Sequence, residues 1–441
     1  MLHASNENVR ELLFQGNFGL ERETLRITPD GYLAQTPNPF PNNPHIVRDF
    51  SENQVEINTG IQPTPAKALA ELAHYDKIVQ TTLADQEPPE LLWPFSNPPY
   101  LRDESDIPIA QYFGEEESKT RYREYLSSQY GRYKMTFSGI HFNFSFSDEL
   151  LRRDFALSDF ANRPDAEQAF IDYKDDLYLT LAERCVAYGW VMSAITAASP
   201  IMDSSFVEQG KTGGDLFFGL GTVRCSELGY WNYFSPVLDY SSTEAYAASI
   251  QQYIDRDYIM CPSELYYPIR VKPQGAYNLD TLRAGNISHI ELRMFDLNPT
   301  DTIGLKEEDV IFAHLLLIWL ASTPRQPFSR ADQIQAIQNF KNAAHYDLRT
   351  VKINVPNGEV YTANQAALNV LGFMEDFFHS VNAPQEVFDC LAFQRGKFTD
   401  AIHERYTHTV RHAYGTHFVE SGLRLAQLRQ QEALGRPDNF A

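Results

Sequence analysis

The chain has 441 residues, 43% hydrophobic and 13% aromatic, with 29 Phe and 24 Tyr, which excludes a disordered chain and allows a large core with Tyr-lined clefts. Lys and Arg number 37 against 58 Asp and Glu, a formal net charge of −21. That field repels nucleic-acid backbones and anionic membranes, so a bound nucleotide would need local arginines and metal ions.

The first fifteen residues are polar and predict a short amphipathic helix, not a signal peptide. Phe18 to Ile27, FGLERETLRI, reads as an extended strand. Its alternation puts Glu21 and Glu23 on one face and Arg22 and Arg26 on the other. Two carboxylates about 7 Å apart on one face either form a charged edge, each Glu held by a neighbouring Arg, or face a cation such as a divalent metal. Gln35 to His45 is a Pro- and Asn-rich loop. Ile46 to Thr59 resumes an extended pattern with Asp49, Glu52 and Glu56; Asp49 and Glu56 differ in parity, so both reach one cleft only through a bulge or if Asp49 precedes the strand.

Pro65 to Gln86 has helical apolar spacing, and Pro88 to Tyr100 is too Pro-rich for regular structure and predicts a fixed loop or a lid. Lys119 to Tyr130 predicts a polar helix presenting Arg121, Tyr122 and Arg123. Gly139 to Ser147 alternates with period two, Ile140, Phe142, Phe144 and Phe146 opposing His141, Asn143, Ser145 and Ser147. Residues 165–198 read as one long helix. Gly210-Lys211-Thr212 looks like the tail of a phosphate-binding loop, but that motif's first glycine would fall at Ser205 with no strand before it, so the reading is set aside.

Arg224 and Tyr230 fall near a turn, and Tyr266 and Arg270 on an extended stretch. Ile287 to Pro299 alternates again, with His289, Glu291 and Arg293 opposite Ile290, Leu292 and Met294. The apolar run Val310 to Ser322 contains His314 and is too short to span a bilayer. Ser322 to Ser329 marks a loose boundary, giving residues 1–325 as a catalytic unit and 326–441 as a mainly helical region packed on it. Cys185, Cys225, Cys261 and Cys390 show no CxxC spacing and are expected as reduced thiols in a cytoplasmic protein.

Amphipathic strands of this kind predict an α+β fold, an antiparallel sheet with helices behind it and an open cleft in front. Glu21, Glu23, Asp49 or Glu52, Glu56, His141 and Glu291 would line that cleft, with Arg224, Arg270 and Arg293 as cations. Hard oxygen donors in this number suit Mg²⁺ or Mn²⁺, and neighbouring arginines suit phosphoryl transfer.

The ordered motifs GLERETLRI, DFSENQVE, WPFSNPPY, SGIHFNFS, LGYWN, ELYYPIR and HIELRMFDLNPTDTIG resemble those of bacterial glutamate-cysteine ligase, over roughly Phe18 to Leu305. The resemblance implies a glutamine synthetase-like fold, an open antiparallel sheet forming a funnel. It also implies ATP as co-substrate, activating the γ-carboxylate of glutamate as an acyl phosphate that the amine of cysteine attacks. By motif, Glu21, Glu23, Asp49, Glu56, His141 and Glu291 become the metal-binding set. Glu291 and Arg293 become catalytic, with Arg293 steadying the transferred phosphoryl group and Arg270 joining it at the nucleotide. Phe50, Tyr122, Arg224, Tyr230 and Tyr266 line the acceptor and amino-acid pocket. Met135 stands where the family usually has a Gln near the acceptor, which leaves cysteine or another amine open. Without the second ATP-dependent unit of the fused glutathione synthetases, the product is expected to be the γ-glutamyl dipeptide or amide. A metal-dependent hydrolase and a non-catalytic metabolite sensor are the alternatives from other classes.

Overall fold

The computed structural model describes residues 1–208, 214–356, 358–399 and 405–435; the Gly210-Lys211-Thr212 motif lies outside them. Its centre is a seven-stranded sheet. The strands are β1 (Gly16–Ile27), β2 (Ile46–Arg48), β3 (Gln54–Asn58), β4 (Leu91–Leu92), β5 (Gly139–Phe146), β6 (Ile269–Pro273) and β7 (Ile287–Asp296). They run in the order β2-β3-β1-β5-β7-β6, with β4 on the end of β1, and every pairing is antiparallel. Strand alternation then sorts the side chains into two layers.

The back of the sheet is the core. Phe18 and Leu20 of β1, the four apolar residues of β5 and Ile290 and Leu292 of β7 are buried in one cluster. Helices α1 (Pro65–Ala84), α3 (Ala166–Tyr188), α4 (Trp190–Thr196) and α5 (Glu307–Ser322) pack into it, joined by α6 (Arg330–Ala343), α7 (Ala363–Ser380) and α8 (Gln385–Thr399). A second cluster gathers Leu25, Ile27, Phe50, Trp93, Phe95, Met135 and Tyr266 with residues of α2 (Glu117–Tyr130) and α9 (Phe418–Ala433). No helix of the described residues is long and apolar enough to cross a membrane.

Three expectations change. Ile46 to Thr59 is a hairpin, not one strand: Val47 faces Glu56 and Arg48 faces Val55, with the turn between them. Its DFSEN turn has no Gly or Pro, and its turn-forming Asp49, Ser51 and Asn53 are a weaker signal that the extended pattern on either side masked. The expected 165–198 helix breaks at Gly189 between α3 and α4. A side chain there would start 3.0 Å from the ring of Phe340 on α6, so the glycine admits that helix closely. The Pro88 to Tyr100 run is a fixed internal loop and not a lid, since Leu91 to Pro99 is buried. The Trp93 indole donates to the Asn97 carbonyl at 2.7 Å, and the Asn97 amide donates to Ser199 and Ile201 carbonyls.

Candidate active site

The front of the sheet opens into a cleft of about 230 Å³ lined by Glu21, Glu23, Asp49, Glu56, Tyr122, Met135, His141, Arg224, Tyr230, Tyr266, Arg270, Glu291 and Arg293. Long-range register brings these together. Glu21 stands directly opposite His141 across β1 and β5, and Glu23 directly opposite Glu56 across β1 and β3. The hairpin removes the parity difficulty. Asp49 leaves β2 opposite Gln54, its amide donating to the Gln54 carbonyl at 3.2 Å, and so returns to the face of Glu56. Arg123 of α2 steadies this turn by donating to the Asp49 carbonyl. Glu52 sits instead in the turn, paired with Arg48 at 2.5 Å and accepting the Gln111 amide, and is not a cleft residue.

Glu21, His141 and Glu291 each place a ligand atom within 4.8 Å of the others. His141 is the hinge of the acid set, with Nδ1 2.9 Å from Glu21 Oε2 and 3.5 Å from Glu291 Oε1, and Nε2 3.6 Å from Glu23 Oε1. The Asn143 amide donates to Glu21 Oε1 at 3.0 Å, and the Gly139 amide to Glu23 Oε2 at 3.1 Å. On the other side of the cleft Arg293 donates to Glu291 Oε1, and Lys272 lies 3.3 Å from Glu291 Oε2.

Burial acts on all these acids, but their neighbours divide them. Burial pushes the Glu23 carboxyl up to about 8, with Asp49 adding to it against Arg224 and Arg293. Burial also carries Glu56 well above its ordinary value, reinforced by Asp49, Glu21 and Glu23. Glu291 is buried too, yet Arg293, Lys272, Arg270 and His141 outweigh this and hold it well below the usual carboxylate range. For Glu21 burial is the largest influence and Glu291 adds to it, but the His141 hydrogen bond together with the charges of His141 and Lys272 outweighs them, and the net shift is downward. Burial, with the nearby Arg293 charge, lowers His141 and favours its neutral imidazole, a competent ligand. One end of the cleft therefore carries compensated acids and the other carries acids short of positive charge.

The donor set fits a hard divalent cation: five carboxylates with a single imidazole, no thiolate among the lining residues, and a buried Glu291 Oε2 that makes no hydrogen bond and has only the Lys272 and Arg270 cations at 3.3 and 4.0 Å. Arg224 is fixed by its donation to the Arg293 and Phe295 carbonyls at 2.9 and 3.3 Å. It lies flat on Gly139, where a Cβ would fall 2.2 Å from its Cζ, so only glycine leaves the guanidinium its place. Arg270 is held by the Ser263 carbonyl at 2.6 Å. The Tyr230 and Tyr266 rings lie 4.0 Å apart, and the Tyr230 hydroxyl donates to Met135 Sδ at 3.0 Å.

Of the residues expected here, Phe50 is not brought to the cleft: it is 3% exposed and packed in the second core, beside the turn that delivers Asp49. Lys272 and Asn143 were missed, although Lys272 shares the parity of Arg270 and Asn143 that of His141. Lys134 and Ser263 also line the cleft, from short 3₁₀ turns with no periodic signal. Cys225, beside Arg224, is a buried thiol pushed up to about 11 by its burial and is not a thiolate.

A family model for glutamate-cysteine ligase matches residues 2–261 and 256–343. The chain belongs to the glutamate-cysteine ligase family. It is 35% identical over 388 residues to the glutathione biosynthesis bifunctional protein of Listeria innocua, covering 85% of this chain and 49% of that one. It is 32% identical over 363 residues to a glutamate-cysteine ligase of Vibrio campbellii, covering 73% and 67%. The crystal structure of a bifunctional glutathione synthetase from Pasteurella multocida superposes with a TM-score of 0.83 at 26% identity, over 99% of this chain and 55% of that one. The chain thus spans about half the length of the bifunctional relatives it matches, and the shared half contains the glutamine synthetase-like sheet.

Proposed function

We propose that this cleft joins the γ-carboxyl of glutamate to an amine at the expense of ATP, with cysteine as the first candidate acceptor and γ-glutamylcysteine as the product. The γ-carboxylate oxygen attacks the terminal phosphorus of ATP and ADP leaves; the amine nitrogen then attacks the acyl carbon, phosphate leaves and the amine proton passes to solvent. A carboxylate is a poor electrophile, and phosphorylation supplies its leaving group, so the protein has to align oxygens and neutralise charge.

The observation that carries this reading is the meeting of two opposed charge sets in one cleft of a ligase-family chain: five acids, Glu23 and Glu291 buried and Glu21, Asp49 and Glu56 half-buried, lining the cleft with His141 and faced by Arg224, Arg270, Lys272 and Arg293. Glu21, Glu23, Asp49, Glu56, His141 and Glu291 are the residues that would hold Mg²⁺ or Mn²⁺. Such ions would supply Lewis-acid polarisation and positive charge to offset that of the phosphates. Arg293, braced by Glu291, points a fixed cation at the transferred phosphoryl group, and Arg270 supports the nucleotide. Arg224, Tyr122, Tyr230 and Tyr266 enclose the amino-acid substrates.

The contact between Met135 and Tyr230 favours a second reading, the same activation with a less polar amine, because a thioether replaces a hydrogen-bonding amide at the pocket wall. The test is ADP release from ATP, Mg²⁺ and glutamate across cysteine, 2-aminobutyrate, alanine and small alkylamines, with products identified by mass. A largest rate with cysteine and a γ-glutamylcysteine mass supports the first reading, and a faster alkyl acceptor supports the second. Hydrolytic turnover of a γ-glutamyl substrate without ATP, or glutamate binding with no ADP from any amine, would overturn both.

A further inference from the structure

A cavity larger than the catalytic cleft lies elsewhere in the molecule. A pocket of about 360 Å³ lies in the helical layer behind the sheet, between the C-terminal ends of α3 and α5, the 323–328 loop and α7, and shares no lining residue with the cleft. Its volume is in the range of small-molecule sites. The walls are mainly apolar and aromatic: Tyr188 and Trp319 meet edge to face at 5.4 Å, with Phe328 and Phe373 beside them.

One charge in this pocket is left over. Glu183 is already taken, its two oxygens receiving bonds of 2.9 and 3.3 Å from Arg325. Arg184, only 7% exposed, lines the same cavity and donates Nη1 to the Leu320 carbonyl. Its buried Nε has no partner, and its Nη2 makes no hydrogen bond among the described residues. Glu183 is thus neutralised from outside the lining by the half-exposed Arg325, and Arg184 is left in an apolar pocket with no carboxylate in ion-pair contact among the described residues. A buried guanidinium with spare donors is costly unless an anion or water meets it, and the aromatic walls disfavour water.

We propose that this pocket is a second ligand site that takes a small amphipathic monoanion, a carboxylate or sulfonate on an aromatic or branched apolar body, its acid group on Arg184 and its body against Trp319 and Phe328. The charge sets the sign of the ligand and the aromatic walls set its body. Arg184 matches an oxyanion that offers two acceptor oxygens, as carboxylates and sulfonates do, better than a halide or a cation.

The test is fluorescence titration of the whole chain with 1-anilinonaphthalene-8-sulfonate, an aromatic sulfonate, and with uncharged N-phenyl-1-naphthylamine. Arg184→Met removes the cation. Phe373→Asp adds a carboxylate at the rim, and since Phe373 is 57% exposed, that variant keeps the fold even if the first does not. The expected result is one saturable sulfonate site on the native protein, weakened at least about tenfold in each variant, and weak binding of the neutral probe that Arg184→Met leaves unchanged. No saturable site, equal sulfonate affinity in the Phe373→Asp variant, or a neutral probe that binds as tightly as the sulfonate would overturn the proposal. So would a dimer in sedimentation that Phe373→Asp dissociates, since that assigns the face to a second copy of the chain.

Discussion

Strand β1 carries charge on both faces, and the two faces treat it in opposite ways. On the back, Arg22 pairs with Asp76 of α1, and Arg26 pairs with Glu90 at 2.7 Å while also donating to Thr36 and the Glu52 carbonyl. Each buried cation there has its own acid. On the front, Glu23 faces Glu56 and Asp49 with too little positive charge nearby, and burial raises both glutamates. A buried charge that is paired and hydrogen-bonded holds the fold, whereas buried like charges facing one another are tolerated for what they bind. The two faces should therefore fail differently when broken.

The largest contrast is between one substitution on each face. Glu21→Gln should lower ADP release by about a hundredfold or more through lost metal affinity, while its thermal unfolding midpoint matches that of the wild type. Wild-type turnover at saturating Mg²⁺ would remove Glu21 from the metal set. Glu90→Gln strands Arg26 in the interior, and urea unfolding should show a loss of about 3–5 kcal/mol, with turnover per folded molecule retained. If Glu90→Gln instead lost activity at unchanged stability, the division between the faces would be wrong.

A smaller effect separates the faces by pH. Glu23 titrates near 8 in the folded chain, above its ordinary value of 4.5. The native state keeps a proton that the unfolded chain releases, so this contribution to stability is full below about 4.5 and is lost as pH rises through about 8. The metal-free protein should accordingly melt several degrees lower at pH 8.5 than at pH 6, with the slope reduced in Glu23→Gln and by added Mg²⁺. An identical slope in that variant would locate the titration elsewhere. The mildest break is Gly139→Ala, which displaces the Arg224 guanidinium. It should raise the KM for glutamate or for the acceptor severalfold and change kcat little; unchanged steady-state kinetics would mean that Arg224 tolerates the shift.

Much of this contrast was legible in the sequence because strand parity is a local property. It assigned Glu21 and Glu23 to one face and Arg22 and Arg26 to the other, and set His141 against Phe142 and Glu291 against Leu292. Parity does not say which strand lies beside which. The cross-strand meetings of Glu21 with His141 and of Glu23 with Glu56 come from pairings between strands as much as 120 residues apart. Nor did it show the hairpin that turns Asp49 inward. That hairpin sends Phe50 into the second core, which the motif-based assignment to the acceptor pocket did not anticipate. Arg22 and Arg26 were read as possible partners of their neighbouring glutamates, but adjacent residues on a strand point apart, and both found acids on the back.

The central claim is that the front face is a cation site made of carboxylates that are partly protonated until a metal arrives. It is tested most directly by titrating the metal-free chain with Mn²⁺ in a calorimeter at pH 7 in buffers of different ionisation enthalpy, with free Mn²⁺ followed by electron paramagnetic resonance. The account predicts saturable Mn²⁺ binding with proton release, tighter at pH 8 than at pH 6, and weakened in Glu21→Gln. Binding without proton release, or with the same affinity in Glu21→Gln, would contradict it.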